Sequence, residues 1–423
     1  MLNQRKVALD ALIGVRKDYG YSNLVLQKVF SEKNISPLDK PLITALFYGV
    51  LDRIITLDYV ISKFVTKPVE RITPITLFSL RLAIFQILYL DKIPDSAAVN
   101  ESVKLVKNSK EKYNAAFVNA VLRNFLRNGV SIPKDNSVNS LKIRYSCPEW
   151  IIESFITDYG VDDTINILNH FLKAPDITVR INSALITDNE FVMSLKNHGL
   201  DARLSELPHA AVFSDGVDVK SLNEYADGYF HVQDLPSQIA VSDLGINNGD
   251  SVLDLCAAPG GKSFLAALYA GKNSCVTACD YLENRVNLIK SGAKRLKLDN
   301  IQCTQNDSRV FNEKLGLYDK VICDVPCSGL GVIRRKPEIK YKTDLDFDEL
   351  KSTQLATLQN GLKYLKNGGR LLYSTCTLRR AENELIVREL LDKHSDFELE
   401  YEHTFLPGKD KTDGFYYAIV KRR

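Results

Sequence analysis

The sequence predicts a multidomain chain: an all-α amino-terminal domain, a small α+β connector, and an α/β domain built on a doubly wound, mostly parallel sheet. Three observations predict it. Helical periodicity runs almost unbroken from Val7 to about Arg127. A polar, turn-rich stretch, NGVSIPKDNSVNS at 128–140, follows it. From Asp250 onward, short β-branched runs alternate with longer helical ones. The chain has 423 residues, enough for two or three full-sized cores at about 100 to 200 residues each. With 45% hydrophobic and 25% charged residues, it is neither a disordered nor a collagen-like chain.

In the amino-terminal domain, expected over 1–130, Val7, Ala11 and Val15 share a helix face, as do Val99, Val103 and Val106, and Ala116, Ala120 and Asn124. Ser36-Pro37 and Ile93-Pro94-Asp95 separate helices, and Arg127-Asn128-Gly129 stops the last one. The run from Ile72 to Leu90 is apolar enough to raise a membrane span. Arg81 at its centre would cost about 2.5 to 3.5 kcal/mol there, so a buried core helix is expected and no membrane partner. Asp10 interrupts any apolar leader, no small-residue cleavage site follows, and a cytoplasmic location is expected. This domain holds 19 Lys and Arg against 11 Asp and Glu, whereas the remainder holds 36 against 41. Such asymmetry favours a polyanionic partner; the plainer reading is scattered solubilising lysines.

The connector, expected over 131–235, mixes a helix from Trp150 to Phe171 with short strands at 177–181 and 229–232. The α/β domain, expected over 236–423, has strands at 251–256, 275–280, 301–305, 319–324 and 370–375. Each gap between them can hold a crossover helix. Residues 415–421 read as a further strand, antiparallel at or near an edge. Eight cysteines are too sparse for a disulfide framework and are expected to be reduced thiols. Cys275 and Cys279, like Cys323 and Cys327, fall on or just past strands rather than on a knuckle, so no metal is expected.

After the first strand comes Cys256-Ala257-Ala258-Pro259-Gly260-Gly261-Lys262-Ser263, opening a helix. Small residues let the backbone approach a ligand closely, and a helix start presents free N–H groups. A tight strand-to-helix turn also needs glycine for packing alone. Asp280 ends the second strand, where a carboxylate can accept both hydroxyls of a ribose. Asp307 follows the third strand and Asp324 ends the fourth, so three carboxylates would line one crevice. Neither GxxxxGK[ST] nor GxGxxG is present, and a nucleoside ligand without a phosphate, such as S-adenosylmethionine, fits better.

Two cysteines stand where chemistry is expected. Cys327 follows the fourth strand in Asp324-Val325-Pro326-Cys327-Ser328-Gly329, and Cys376 ends the fifth in Ser374-Thr375-Cys376-Thr377. A thiolate is a soft nucleophile suited to an electron-poor ring carbon, and it needs exposure and positive surroundings, which Lys262, Arg379 and Arg380 could supply. Cys256, Cys275, Cys279, Cys303 and Cys323 read as small core hydrophobes.

These residues resemble the 5-methylcytosine RNA methyltransferases. The resemblance rests on LDLCAAPGGK (253–262), DVPCSGLGVIRRKPEIK (324–340), GGRLLYSTC (368–376) with Glu382-Asn383-Glu384, and the terminal GFYYA (414–418). The amino-terminal half resembles the NusB RNA-binding fold, in AAVNESVKLVK (97–107) and AAFVNAVLRN (115–124). The resemblance implies a Rossmann-like methyltransferase domain that uses S-adenosylmethionine, yields S-adenosylhomocysteine, and modifies C5 of a cytosine in 16S, small-subunit ribosomal RNA. It implies that Cys376 attacks C6 of the base and that Cys327 assists elimination and product release. Asp324 would stabilise the protonated N3 of the adduct. Cys256 to Lys262, Asp280, Asp307 and Asp324 would contact the methyl donor, with Arg285 adding a contact. A target cytosine must leave its stack, so single-stranded or splayed RNA is expected. Arg334-Arg335-Lys336 read as phosphate contacts, or plainly as a solvated basic face. A monomer is expected.

Two other readings compete. A DNA cytosine methyltransferase would use the Pro-Cys thiol as its nucleophile, but the glutamate-bearing ENV-type element is absent at the matching place. A non-catalytic RNA-binding factor would tolerate a damaged ligand turn or missing thiols, and here both are intact.

Overall fold

A computed structural model describes residues 3–18, 22–33, 35–213, 217–342 and 345–423. The chain forms two compact units, Met1–Lys173 with Ile333–Thr343, and Ala174–Val332 with Asp344–Arg423.

The first unit is helical: α1 (Gln4–Asp18), α2 (Ser22–Glu32), α3 (Lys40–Asp52), α4 (Ile54–Ser62), α5 (Pro74–Tyr89), α6 (Asp95–Lys107), α7 (Ala115–Asn128), α8 (Val138–Tyr145) and α9 (Glu149–Phe171). The apolar run around Arg81 becomes α5, which packs against α1, α3, α4, α6 and α7 and is buried from Thr76 to Gln86. A helix apolar on all sides belongs in a core. Its one cation is satisfied, because Arg81 donates through Nε and Nη2 to both oxygens of Asp58, each at 2.7 Å. Its amino terminus is capped by the Glu111 carboxylate, which accepts from the backbone N–H groups of Ile75 (3.2 Å) and Thr76 (2.8 Å). Among the described residues no helix is long and apolar enough to cross a membrane.

The compact unit continues past residue 130. The stretch after α7 does turn at Gly129, with φ +63°, but α8 then buries Leu141, Ile143 and Tyr145. Thr56 of α4 donates to the Ile143 carbonyl (2.6 Å), and Ser146 accepts from the Ile55 N–H (2.9 Å). The helix expected for the connector, Trp150 to Phe171, forms as α9, interrupted at Gly160 (φ +80°), and clusters within this compact unit. Residues 333–342, distant in sequence, also fold into this unit. Glu338 accepts from the Ser22 N–H (3.1 Å), Lys340 donates to the Asp52 carbonyl (2.7 Å), and the Tyr341 hydroxyl donates to the Leu51 carbonyl (2.9 Å).

The second unit begins with a four-stranded antiparallel sheet in the order β2-β3-β1-β4, formed by β1 (Ile177–Ile181), β2 (Ala202–Leu204), β3 (Ala210–Phe213) and β4 (Phe230–Val232). Helix α10 (Asp188–Asn197), opened by a Thr187–Glu190 capping box, buries Phe191 and Leu195 against Phe213 and Phe230. After α11 (Asn223–Ala226) and α12 (Leu235–Asp243) comes a seven-stranded sheet, order β10-β11-β9-β8-β5-β6-β7. Its elements are β5 (Val252–Asp254), α13 (Gly261–Ala270), β6 (Val276–Asp280), α14 (Glu283–Arg295), β7 (Ile301–Gln305), β8 (Tyr318–Asp324), α15 (Phe347–Lys363), β9 (Leu365–Thr375), α16 (Glu384–Leu391), β10 (Phe397–Phe405) and β11 (Phe415–Arg422).

Strands β5 to β9 are parallel, and β11 runs antiparallel between β9 and β10. Alternate residues feed two cores. Val252, Val276, Ile322 and Leu372 pack with α12, α13 and α14, while Leu253, Val321, Cys323 and Tyr373 pack with α15 and α16. Two details differ from expectation. The connection from β7 to β8 holds no α-helix, only a short 3-10 turn at Glu313–Leu315, because twelve residues rich in Asp, Asn and Gly spend their length on turns. The edge strand β10 was not expected, since FELEYEHTF carries glutamates on a half-exposed ribbon.

Candidate active site

The carboxyl ends of β5, β6, β8 and β9 bring together most of the residues singled out in the sequence. At the end of β5 the chain turns through Cys256 to Gly260. Gly260 adopts φ +116°, and a Cβ there would lie 2.2 Å from the Phe264 ring, so the turn into α13 requires glycine. The Ala257 N–H donates to the Cys279 carbonyl (2.8 Å), tying the turn to β6. Asp280, 3% exposed, accepts from the Ala258 N–H at 3.2 Å. Arg285 on α14 spans the same two groups, with Nε 3.5 Å from Asp280 and Nη2 donating to the Ala258 carbonyl at 3.1 Å. Asp307 is held by Arg309 through Nε (2.9 Å) and Nη2 (2.8 Å), which keeps its carboxyl below the usual range. Cys256 is engaged with Ser308 at 3.5 Å, and burial pushes its thiol up to about 12.

The thiols of Cys327 and Cys376 meet. Their sulfurs lie 3.4 Å apart, because β8 and β9 are neighbouring parallel strands in register, with Asp324 beside Ser374. The Cys327 thiol is pushed well up, first by its hydrogen bond to the Cys376 sulfur and then by burial. Around them, Asp324 accepts from Ser374 Oγ (2.7 Å) and pairs with Lys262 Nζ (2.8 Å), so both of its oxygens are fixed. The Gly331 N–H donates to the Cys376 carbonyl (2.9 Å), and Ser328 Oγ lies 2.7 Å from Thr377 Oγ1.

The cations expected to surround the thiols are instead committed to carboxylates. Lys262 pairs with Asp324, Arg379 with Glu382 (3.3 Å) and Arg380 with Glu384 (4.0 Å). Opposite charge nearby outcompetes a neutral thiol for an ammonium or guanidinium. The Arg334-Arg335-Lys336 run also differs from an open basic face. It lies in the segment that folds with the helical unit, Arg334 is only 7% exposed, and Arg335 and Lys336 are half-buried.

Comparisons with known proteins show the family. Residues 241–421 match the family model for the 16S rRNA methyltransferase RsmB/F, residues 2–127 that of the NusB family, and residues 147–220 that of the RsmF/B-like ferredoxin-like domain. The probable ribosomal RNA small subunit methyltransferase B of Bacillus subtilis (strain 168) is 36% identical over 400 residues, spanning 93% of this chain and 89% of its own. Ribosomal RNA small subunit methyltransferase B of Photorhabdus laumondii is 31% identical over 436 residues, spanning 100% and 99%. The chain belongs to the RsmB family of small-subunit rRNA methyltransferases. Among solved structures, PH0851 superposes over 100% of this chain and 99% of its own with a TM-score of 0.84 at 23% identity. NSun6 from Pyrococcus horikoshii with SFG covers 65% of this chain and 98% of its own at a TM-score of 0.60 and 22% identity. Both show the same fold.

The small α+β connector is thus the family's ferredoxin-like domain, and the helical amino terminus its NusB domain. For an RsmB-type chain, sequence reasoning overlooked two buried carboxylates. Asp254, 0% exposed, accepts from Ser263 Oγ (2.6 Å) and the Cys256 N–H (3.3 Å), and burial pushes its carboxyl up to about 7. An acidic residue inside the apolar strand VLDL was the available signal. Glu382, 1% exposed, is legible in the sequence only as part of the Glu382-Asn383-Glu384 run. Among the described residues no cluster could hold a metal ion.

Proposed function

We propose that this rRNA methyltransferase moves a methyl group from S-adenosylmethionine to C5 of a cytosine, through a covalent bond between Cys376 and C6 of the base. The observation that carries the reading is the pair of sulfurs 3.4 Å apart at the ends of adjacent parallel strands. S-adenosylmethionine, when bound, supplies an electrophilic methyl group and is released as S-adenosylhomocysteine. The residues fit such a group: a turn of small residues opens a helix, a buried carboxylate at Asp280 suits ribose hydroxyls, and Asp307 has only the exposed Arg309 as a competitor. Cys256 to Lys262, Asp280, Arg285, Asp307 and Asp324 are therefore assigned to holding it.

C5 of cytosine is a weak nucleophile until a thiolate adds at C6 and leaves an enamine. Cys376 supplies that electron pair. C5 then takes the methyl group and gives its proton to a base, and Cys376 departs with its pair as the ring double bond returns. The electrostatics support this division of labour. Cys327, its thiol raised by the neighbouring sulfur and by burial, keeps its proton and is the poorer nucleophile of the two. Cys327 is assigned to the elimination and release of product. Asp324, fixed by Ser374 and Lys262, is assigned to the protonated N3 of the adduct. Two thiols in place of a [DN]PP[YF] turn favour carbon over exocyclic amine as the acceptor. Of the basic run, the half-buried Arg335 and Lys336 are assigned to RNA phosphates.

The test incubates Cys376→Ala and Cys327→Ala separately with labelled S-adenosylmethionine and small-subunit RNA, followed by a denaturing gel. Loss of transfer in Cys376→Ala, with a covalent protein–RNA band accumulating in Cys327→Ala, is the expected result. Transfer by Cys376→Ala but not by Cys327→Ala would make Cys327 the nucleophile and overturn the assignment.

A further inference from the structure

Two residues adjacent in sequence grip both thiol loops. Glu382 is buried at the end of a short 3-10 turn, and its Oε2 accepts from the Ser328 N–H at 2.9 Å, one residue past Cys327. The same oxygen accepts from Gln354 Nε2 (3.1 Å), and that amide also donates to the Pro326 carbonyl (3.0 Å), one residue before Cys327. Cys327 is thus bracketed on both sides by one carboxylate and one amide. The next residue, Asn383, does the same for the other loop. Its Oδ1 accepts from Thr375 Oγ1 (2.6 Å) and its Nδ2 donates to the Thr377 carbonyl (3.0 Å), bracketing Cys376. Tyr373, on the strand leading to Cys376, donates its hydroxyl to the Glu382 carbonyl at 2.6 Å. All of these side chains are buried, where a satisfied polar network is rigid and a half-satisfied one is costly.

We infer that Glu382 and Asn383 are positioning residues that together set the spacing of the Cys327 and Cys376 sulfurs. Because one peptide bond joins them, the two loops cannot move apart without breaking hydrogen bonds to buried partners. The Glu382 side chain acts on the Cys327 loop and the Asn383 side chain on the Cys376 loop; neither is assigned a contact with the base. The negative charge of Glu382 also helps keep the Cys327 thiol protonated. This inference rests on the two-thiol reading of the site.

The test separates spacing from turnover. Phenylarsine oxide bridges two close thiols, forming two As–S bonds and releasing its oxygen as water, and peptide mapping identifies the bridged pair as Cys327 and Cys376. In folded full-length Glu382→Ala, bridging of that pair should slow at least about tenfold, kcat should fall about 100-fold, and KM for RNA should stay within about threefold, as expected for a shift near 1 Å in a reacting group. Glu382→Gln keeps an oxygen for the Ser328 N–H and should restore bridging. Asn383→Ala should reproduce the Glu382→Ala behaviour from the other side. Bridging at the wild-type rate in Glu382→Ala would overturn the inference, whatever happens to kcat. If the gel experiment reassigns the nucleophile, bridging still reports the spacing, so the two failures are distinguishable.

Discussion

At the scale of residues, the buried ionisable groups of the site carry consequences in solution. Asp254 is protonated in the folded chain up to about pH 7, whereas an unfolded aspartate loses its proton near 3.8. Between those values the folded state holds the extra proton, so this group's contribution to stability declines as pH rises through the window. Asp254→Asn should flatten that part of the stability profile, at a cost of about 1 kcal/mol for the weakened Ser263 hydrogen bond. Urea denaturation of both proteins at pH 5 and 8 reads it, and an unchanged pH slope would contradict it. Cys327 offers a second case. The largest influence raising its thiol is the Cys376 sulfur, so Cys376→Ala should bring the Cys327 thiol down. Alkylation of Cys327 by iodoacetamide at pH 8, followed by mass spectrometry, should then run faster in the variant than in the wild type.

Elements place these residues, and the loops after β8 and β9 are closed by backbone contact as well as by side chains. A Cβ on Gly331 would lie 2.1 Å from the Gly414 carbonyl oxygen and 2.8 Å from that of Cys376. The Gly414 N–H in turn donates to Gly331 (2.9 Å), so the start of β11 clamps the Cys327 loop against the Cys376 loop. Gly331→Ala should therefore cost about 1 to 3 kcal/mol in stability and lower methyl transfer more than it weakens RNA binding, measured by kcat against KM. The strands were legible because buried parallel strands are runs of Val, Ile and Leu such as KVICD and RLLYS, bounded by turns. Strand β10 carried a signal as well, since Phe397, Leu399 and Tyr401 alternate with Glu398, Glu400 and Glu402 at the strand period, but the low strand preference of glutamate masked it. The two cysteines and the ligand turn were legible as positions at strand ends. The Asp324–Lys262 pairing was not, since it depends on which side chains the sheet brings together from residues about sixty positions apart.

For the whole molecule, the linear order of the sequence hid one arrangement. The NusB and ferredoxin-like matches end and begin at 127 and 147, yet one compact unit joins α8, α9 and the returning segment 333–342, which follows the Cys327 loop and packs on α3. That segment supplies a buried cation. Lys340 donates to the Asp52 carbonyl and faces the Asp52 carboxyl, which burial pushes up to about 6 and which Lys340 and Arg53 pull back down. Removing the ammonium leaves a half-buried carboxylate without its main counter-charge, a loss of about 1 to 3 kcal/mol when the carboxylate is ionised. Lys340→Met should therefore destabilise the helical unit more at pH 8 than at pH 5, since the attraction exists only above the Asp52 titration and the variant's carboxyl titrates higher still. Hydrogen exchange should read the change locally, with faster exchange along α3 and α4 and unchanged protection in β8 and β9. Equal destabilisation at both pH values would mean that the Lys340 contribution is its hydrogen bond to the Asp52 carbonyl alone, and that the charge of the returning segment plays no part in holding it.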